Sequence, residues 1–219
     1  MLIDMHMHEG RFSKDSFLKL EDMVVLARQR GLDAICITDH DSMGLWDFAH
    51  EYSEKVDFPI FVGVEYYSLD GDLVTYGIRE FPKERIPAQE FVDYVVRQGG
   101  ACFAAHPFRN NNRGLEEKIL TVQGLAGAEV LNGSTSPAAN LLAARCVQKR
   151  GLSAVGSSDC HVPEKLGRFA TYIGDKITCE EDIVKALKNG HTLPAYYTPQ
   201  GYRIWDMERP LVTQQTIAY

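Results

Sequence analysis

The chain repeats one phrase along its length: an amphipathic helix, a glycine stop, then a short apolar strand. Leu20, Met23, Val24 and Ala27 recur at helical spacing on one face, and Gly31 follows where a left-handed residue closes a helix. The strand Ala34–Thr38 comes next. Phe91, Val92, Val95 and Val96 mark a second helix, stopped by Gly99-Gly100 and followed by Ala101–Ala105. A third opens at Ser136-Pro137, a capping residue with proline in the first turn, and runs to Gly151 before Ser153–Gly156. The fourth opens with Thr178-Cys-Glu-Glu181, which reads as a capping box between Thr178 and Glu181, and stops at Gly190. Further strands fit Leu2–His8, Pro59–Tyr67, Leu73–Ile78 and Ala128–Asn132.

Helices alternating with nearly continuous apolar strands predict an α/β fold with a parallel sheet covered by helices. About seven such strands suit a small (β/α) barrel better than a sandwich or a bundle, with an open doubly wound sheet as the alternative. No linker or low-complexity tract divides the chain. Residues 1–194 are expected to form one domain. Residues 195–219, polar and aromatic, are expected to form a C-terminal tail without an assigned role.

Composition narrows the function classes. The 219 residues are 45% hydrophobic and 24% charged, enough apolar material for a packed core and far from a disordered chain. The net charge of −7 argues against stable binding to duplex nucleic acid. No apolar run is long enough to span a bilayer, and the N-terminus lacks a basic stretch leading into an apolar one, so no membrane association and a cytoplasmic location are expected. The five cysteines are scattered and never spaced C-x-x-C, which reads as reduced thiols. Nothing bears on oligomeric state.

The histidines are the informative feature. Five of seven fall at the C-terminal ends of apolar strands: His6, His8, His40, His106 and His161. Asp4, Asp39, Glu65 and Asp159 take the same kind of position. In parallel α/β folds those ends open onto one face, where sites are built. His6 and His8, two apart on a strand, project to one side and suit a divalent cation. Asp159 and His161 repeat that spacing, with Cys160 turned away as a packed thiol. Glu65 would be a buried carboxylate, costly unless paired, and a bridge between two cations is one natural explanation. Thr38-Asp39-His40-Asp41 alone would read as a polar turn. His50 and His191 fit no such pattern and read as solvent-facing or packing residues.

Taken in order, Asp4-Met-His-Met-His8, Ile37-Thr-Asp-His-Asp41, Gly63-Val-Glu65, Gly99–Pro107, Glu129-Val-Leu-Asn132 and Gly156-Ser-Ser-Asp-Cys-His161 resemble the PHP (polymerase and histidinol phosphatase) family of metal-dependent phosphoesterases. The resemblance covers roughly Leu2 to Pro194. It implies a distorted (β/α)7 barrel with two or three divalent ions, manganese, iron or zinc, at the C-terminal ends of the strands. A first ion would take His6, His8, Glu65 and Asp159; Glu65 would bridge to a second held by His106; a third would use His40, His161 and Asp15. Asp15 lies two residues farther from His8 than the commoner spacing. Asp72 stands where a second-ion histidine is expected, and its oxygen would lean that position toward manganese or iron.

The chemistry that follows is hydrolysis of a phosphate ester by a metal-activated water, without a side-chain nucleophile. The chain has no G-x-S-x-G, no glycine-rich phosphate loop and no C-x5-R. Arg109, Arg168 and Asn132, near strand ends, are candidates for binding an anionic substrate. A small phosphomonoester is the first expectation for substrate. A phosphodiester or short oligonucleotide is the second, and a non-catalytic metal-binding module the third.

Overall fold

The structure is a computed structural model that describes residues 1–207. Its centre is β1 (Leu2–Met7), buried from Ile3 onward because strands flank it on both sides. It pairs in parallel with β2 (Ala34–Ile37) and antiparallel with a later strand, β9 (Phe169–Ile173). Outside β2 lies β3 (Ile60–Val62), and outside β9 lie β10 (Thr192–Thr198) and β11 (Gly201–Ile204). A second sheet runs β4 (Val64–Tyr67), β5 (Asp72–Tyr76), β6 (Ala101–Ala104), β7 (Gly127–Asn132) and β8 (Ser153–Ser157).

The hydrogen-bond ladders therefore define a mixed α/β fold with two sheets, not one continuous seven-stranded ring. The sheets meet at isolated parallel bridges, Met7 with Cys160 and His40 with Glu65. Both bridges lie at the rim where the C-terminal ends of β1 and β2 emerge, the rim that carries the clustered histidines.

Strand direction departs from the all-parallel expectation. β5 runs antiparallel to β4 and β6. Its link from β4 is only residues 68–71, whereas a parallel crossover needs about a dozen residues. The reversal places the start of β5 at the rim where its parallel neighbours end. β9, β10 and β11 form an antiparallel meander, and β10 runs straight through positions 194 and 195. The expectation of a tail without an assigned role covers residues 208–219 as well, which lie outside the described residues.

Five helices cover the sheets: α1 (Leu20–Arg30), α2 (Trp46–Val56), α3 (Ala88–Arg97), α4 (Pro137–Arg150) and α5 (Glu180–Lys188). The face that α1 buries is Leu20, Met23, Val24 and Ala27, and its left-handed Gly31 returns an amide to Ala27 and Arg28 carbonyls. Ser136 caps α4 by accepting from the Ala139 amide. The α5 cap differs from the expected box. The helix starts one residue later, so the side chain reaching back is Asp182, which accepts from the Thr178 amide (3.1 Å) and hydroxyl (2.8 Å). No helix among the described residues is long and apolar enough to cross a membrane.

What was one predicted strand over Pro59–Tyr67 is two, parted at Gly63. The chain changes sheets there, and Tyr76 packs beneath, with its hydroxyl donating to the Met5 carbonyl at 2.5 Å. A Cβ on Gly63 would lie 2.5 Å from the Thr75 carbonyl oxygen and 2.7 Å from the Tyr76 ring. Since the obstacle is backbone and a pinned ring, Gly63→Ala is expected to cost about 1–3 kcal/mol. Chemical denaturation checks this: an unchanged midpoint would mean the junction is looser than described.

Candidate metal centre

The rim gathers its polar side chains from every neighbouring strand. Alternation along β1 sends His6 and His8 to one side, and both are completely buried. His40 follows β2, Glu65 sits in β4, Asp72 begins β5, His106 follows β6, and Asp159 and His161 follow β8. His106 (φ 29°) and Asp159 (φ 48°) have left-handed backbone that such residues rarely adopt. Strain of this kind persists where the surroundings over-determine a conformation, as at functional sites.

The geometry around His6 and His8 fixes what can lie between them. His6 Nδ1 is 2.9 Å from Glu129 Oε1, a carboxylate that can only accept, so Nδ1 carries the proton. Ser13 gives its hydroxyl proton to Asp39 Oδ1 (2.7 Å), so its oxygen accepts from His8 Nδ1 (3.2 Å). In the neutral rings both Nε2 atoms then present lone pairs, yet they face each other at 3.0 Å. Carboxylate oxygens converge on the same gap. Glu65 Oε1 is 3.4 Å from His6 Nε2 and Oε2 is 3.5 Å from His8 Nε2; Asp159 Oδ1 is 3.7 and 3.4 Å from the two nitrogens. Such a gap requires positive charge, either a proton or a cation.

The ionisation of these groups follows the same logic. Burial lowers His8 to about 4, so its ring is neutral near pH 7. Burial also opposes charge on His6, but Glu129, Glu65 and Asp159 outweigh it and raise His6 well above its ordinary value. Burial works against the charged forms of Glu65 and Asp159 as well, and His6 chiefly holds both well below the usual carboxylate range.

Two further donor groups adjoin this one. His106 Nε2 is 2.8 Å from Glu65 Oε1 and 3.6 Å from Asp72 Oδ2. His8 packs against the rings of both His40 and His161, each centroid 4.2 Å away. The Nε2 atoms of His40 and His161 are 3.4 Å apart, and Asp15 Oδ2 is 3.3 and 3.4 Å from them. Four sets of donors thus fall within ion-binding reach: His6, His8 and Glu65; His6, His106 and Asp159; Glu65, Asp72 and His106; His8, His40 and His161. Nitrogen and oxygen donors in these combinations fit zinc, manganese or iron. Orphaned atoms fit too: His40 Nδ1 and Glu65 Oε2 approach to 2.7 Å without hydrogen-bond geometry, and neither makes another hydrogen bond.

All nine residues expected to bind metal therefore come together at one rim. The three expected at substrate are placed differently. Arg109 reaches Asn132 Oδ1 (2.8 Å) and Asp159 Oδ2. Asn132 is fully buried, with its amide donating to Glu129 Oε2 (2.7 Å) and Asp159 Oδ2 (3.1 Å), which suits a positioning role. Arg168 lies over the Phe169 ring, 5.6 Å from its centroid, and no contact among the described residues joins it to the centre. Asp4, on the histidine face of β1, instead accepts the amides of Ser158 (2.9 Å) and Gly167 (3.1 Å).

Sequence reasoning missed Glu129, Ser13 and Arg113. Glu129 orients His6 and accepts from Ser157 and the His106 amide (2.6 Å). An acid in the middle of the apolar run of β7 was a readable signal. Ser13 and Arg113 lie in loops and gave none. A cavity of about 810 Å³, lined by Asp41, Tyr66, Glu80, Phe81, Lys83 and Arg85, contains none of the residues of the centre.

Comparison with known proteins agrees with this geometry. The PHP domain profile matches residues 4–159, and a PHP-associated profile matches residues 137–192. The chain belongs to the PHP domain family. A curated relative, the uncharacterized protein MJ1587 of Methanocaldococcus jannaschii, is 23% identical over 141 residues, covering 60% of this chain and 82% of the relative. A similar solved structure is a two-domain protein from Bacteroides vulgatus containing a predicted PHP-like metal-dependent phosphoesterase. It has a TM-score of 0.70 and 24% identity, over 90% of this chain and 65% of that one. The chain thus spans about two thirds of that protein. The lesion-specific endonuclease EndoQ of Pyrococcus furiosus matches with a TM-score of 0.60 and 16% identity, over 93% of this chain and 57% of the other.

Two outcomes follow from the centre. Because His6 is raised while Glu65 and Asp159 are depressed, an incoming ion displaces a proton from His6. Metal affinity should therefore fall as pH is lowered through that raised value, well before the carboxylates protonate. Calorimetric titration in buffers of different ionisation enthalpy would detect the released proton. Glu129→Gln, which keeps the shape but removes the charge and turns one of two accepting oxygens into an NH2 that faces donors, should weaken metal binding roughly 10–100-fold.

Proposed function

We propose that this protein hydrolyses phosphate esters at a multinuclear metal centre built from His6, His8, Asp15, His40, Glu65, His106, Asp159 and His161, with Asp72 beside it. The observation that carries the reading is the 3.0 Å approach of His6 Nε2 to His8 Nε2, ringed by Glu65 and Asp159. Divalent ions bound there would polarise phosphoryl oxygens and supply a water nucleophile near neutral pH.

The chain's own residues do the rest. Glu129 and Ser13 hold the His6 and His8 tautomers that leave Nε2 free. Arg109 takes one oxygen of Asp159 and leaves Oδ1 facing the histidines. Its part-exposed guanidinium stands ready to share a charged hydrogen bond with an anionic substrate. The seams between the two sheets are consistent with the distorted (β/α)7 barrel of the family.

A phosphodiesterase or nuclease is the alternative, supported by the fold likeness to a lesion-specific endonuclease. The metal positions are common to both readings, so the substrate separates them. Paired assays of a chromogenic monoester and its diester analogue, with manganese and with chelator, are expected to give chelator-sensitive turnover favouring the monoester. Faster diester turnover would select the alternative, and bound metal without either turnover would point to a binding module. His40→Ala, at a part-exposed position, should lower turnover at least about 100-fold with an unchanged circular dichroism spectrum. Wild-type rates in that variant would exclude the centre as the engine.

A further inference from the structure

The Glu65–Asp72–His106 position differs from its neighbours in having an arginine that engages both oxygens of one of its carboxylates. Arg113 forks the Asp72 carboxylate, Nε to Oδ2 at 2.6 Å and a terminal nitrogen to Oδ1 at 2.9 Å. Oδ2 is also the oxygen that faces His106 Nε2, at 3.6 Å. Arg109 makes a useful contrast, because it takes Oδ2 of Asp159 and leaves Oδ1 turned to His6 and His8. The Arg113 fork leaves neither oxygen of Asp72 unengaged.

The fork is built into the fold. Asp72 and Tyr67 are cross-strand partners, and the Arg113 guanidinium lies 4.2 Å over the Tyr67 ring while bonding the carboxylate opposite. The Asp72 amide donates to the Arg113 carbonyl at 2.7 Å, tying the two backbones together. Gly71 makes the approach possible: a Cβ there would lie 2.6 Å from the Gly114 carbonyl carbon. With φ at 142°, Gly71 also holds a backbone conformation other residues rarely adopt.

We infer that Arg113 is an internal counter-cation of the Asp72 position, which keeps a divalent ion there weakly bound relative to the other positions. This rests on the metal-centre reading above. A carboxylate oxygen has more than one lone pair, so Oδ2 can meet both partners, but an ion joining the guanidinium there meets a like charge. Occupancy of this position is therefore set by a competition within the protein. At Asp159 the competition is weaker, because Arg109 takes Oδ2 and leaves Oδ1 open toward His6 and His8.

Manganese titration of the metal-stripped chain, with metal content measured after gel filtration, tests this apart from any hydrolysis. Arg113→Met should retain more manganese per chain than the wild type and bind its weakest ion about tenfold more tightly. Arg113→Lys, which keeps a charge but loses the fork, should fall between them and serves if the methionine variant does not fold. In an Asp72→Asn background the Arg113 substitution should give a smaller gain, because only the like-charge repulsion is then relieved. A folded Arg113 variant with wild-type or lower manganese affinity would overturn the inference while leaving the centre intact. A wild type that binds no manganese at all would overturn the metal-centre reading itself.

Discussion

Buried negative charge crowded at one rim is the constraint on which the rest of this structure depends. Glu65, Asp72, Glu129 and Asp159 are each all but inaccessible to water, and they crowd a single patch. Burying such groups unpaired is prohibitive, so every one must meet a cation or hydrogen-bond donors. The chain answers with His6, His106, Arg109 and Arg113, and with amide donors from the loops that leave the strands. The gap that this compensation still leaves, between His6 and His8, is the one that suits divalent ions.

The layers around that gap are ordered by what each group can donate. Glu129 can only accept, so it dictates the His6 tautomer; Asp39 does the same for His8 through the Ser13 hydroxyl. Asn132 keeps Glu129 and Asp159 in register with each other. The fold provides the crossing point. β1 lies between β2 and β9, the two sheets meet at bridges beside it, and the antiparallel β5 enters from the opposite direction to bring Asp72 to the same place.

Much of this was legible in the sequence because strand ends are short and polar where strands are apolar. Five histidines following or ending apolar runs located the rim, and helical spacing of Leu20, Met23, Val24 and Ala27 located a covering helix. The strand direction of β5 was not legible, since an apolar run looks alike in either direction and only the short link from β4 decides it. β10 and β11 were missed because part-exposed strands mix polar with apolar residues, and β9 because its five residues Phe169–Ile173 are too short a run with a polar Thr171 at the centre. The Arg113 fork was hidden for another reason: 41 residues separate it from Asp72, and only contacts between the two loops join them. Asp182 displaced Glu181 at the α5 cap because the helix starts one residue late, an offset within the ordinary uncertainty of a helix end.

The central claim is that Glu65 and its neighbours hold more than one ion close enough to interact. Electron paramagnetic resonance of the manganese-loaded protein tests it directly, because ions sharing a carboxylate couple their spins. The account predicts a multiline spectrum from coupled manganese that collapses when Glu65 is replaced by glutamine. The six-line pattern of isolated manganese at full loading, unchanged by that substitution, would contradict it.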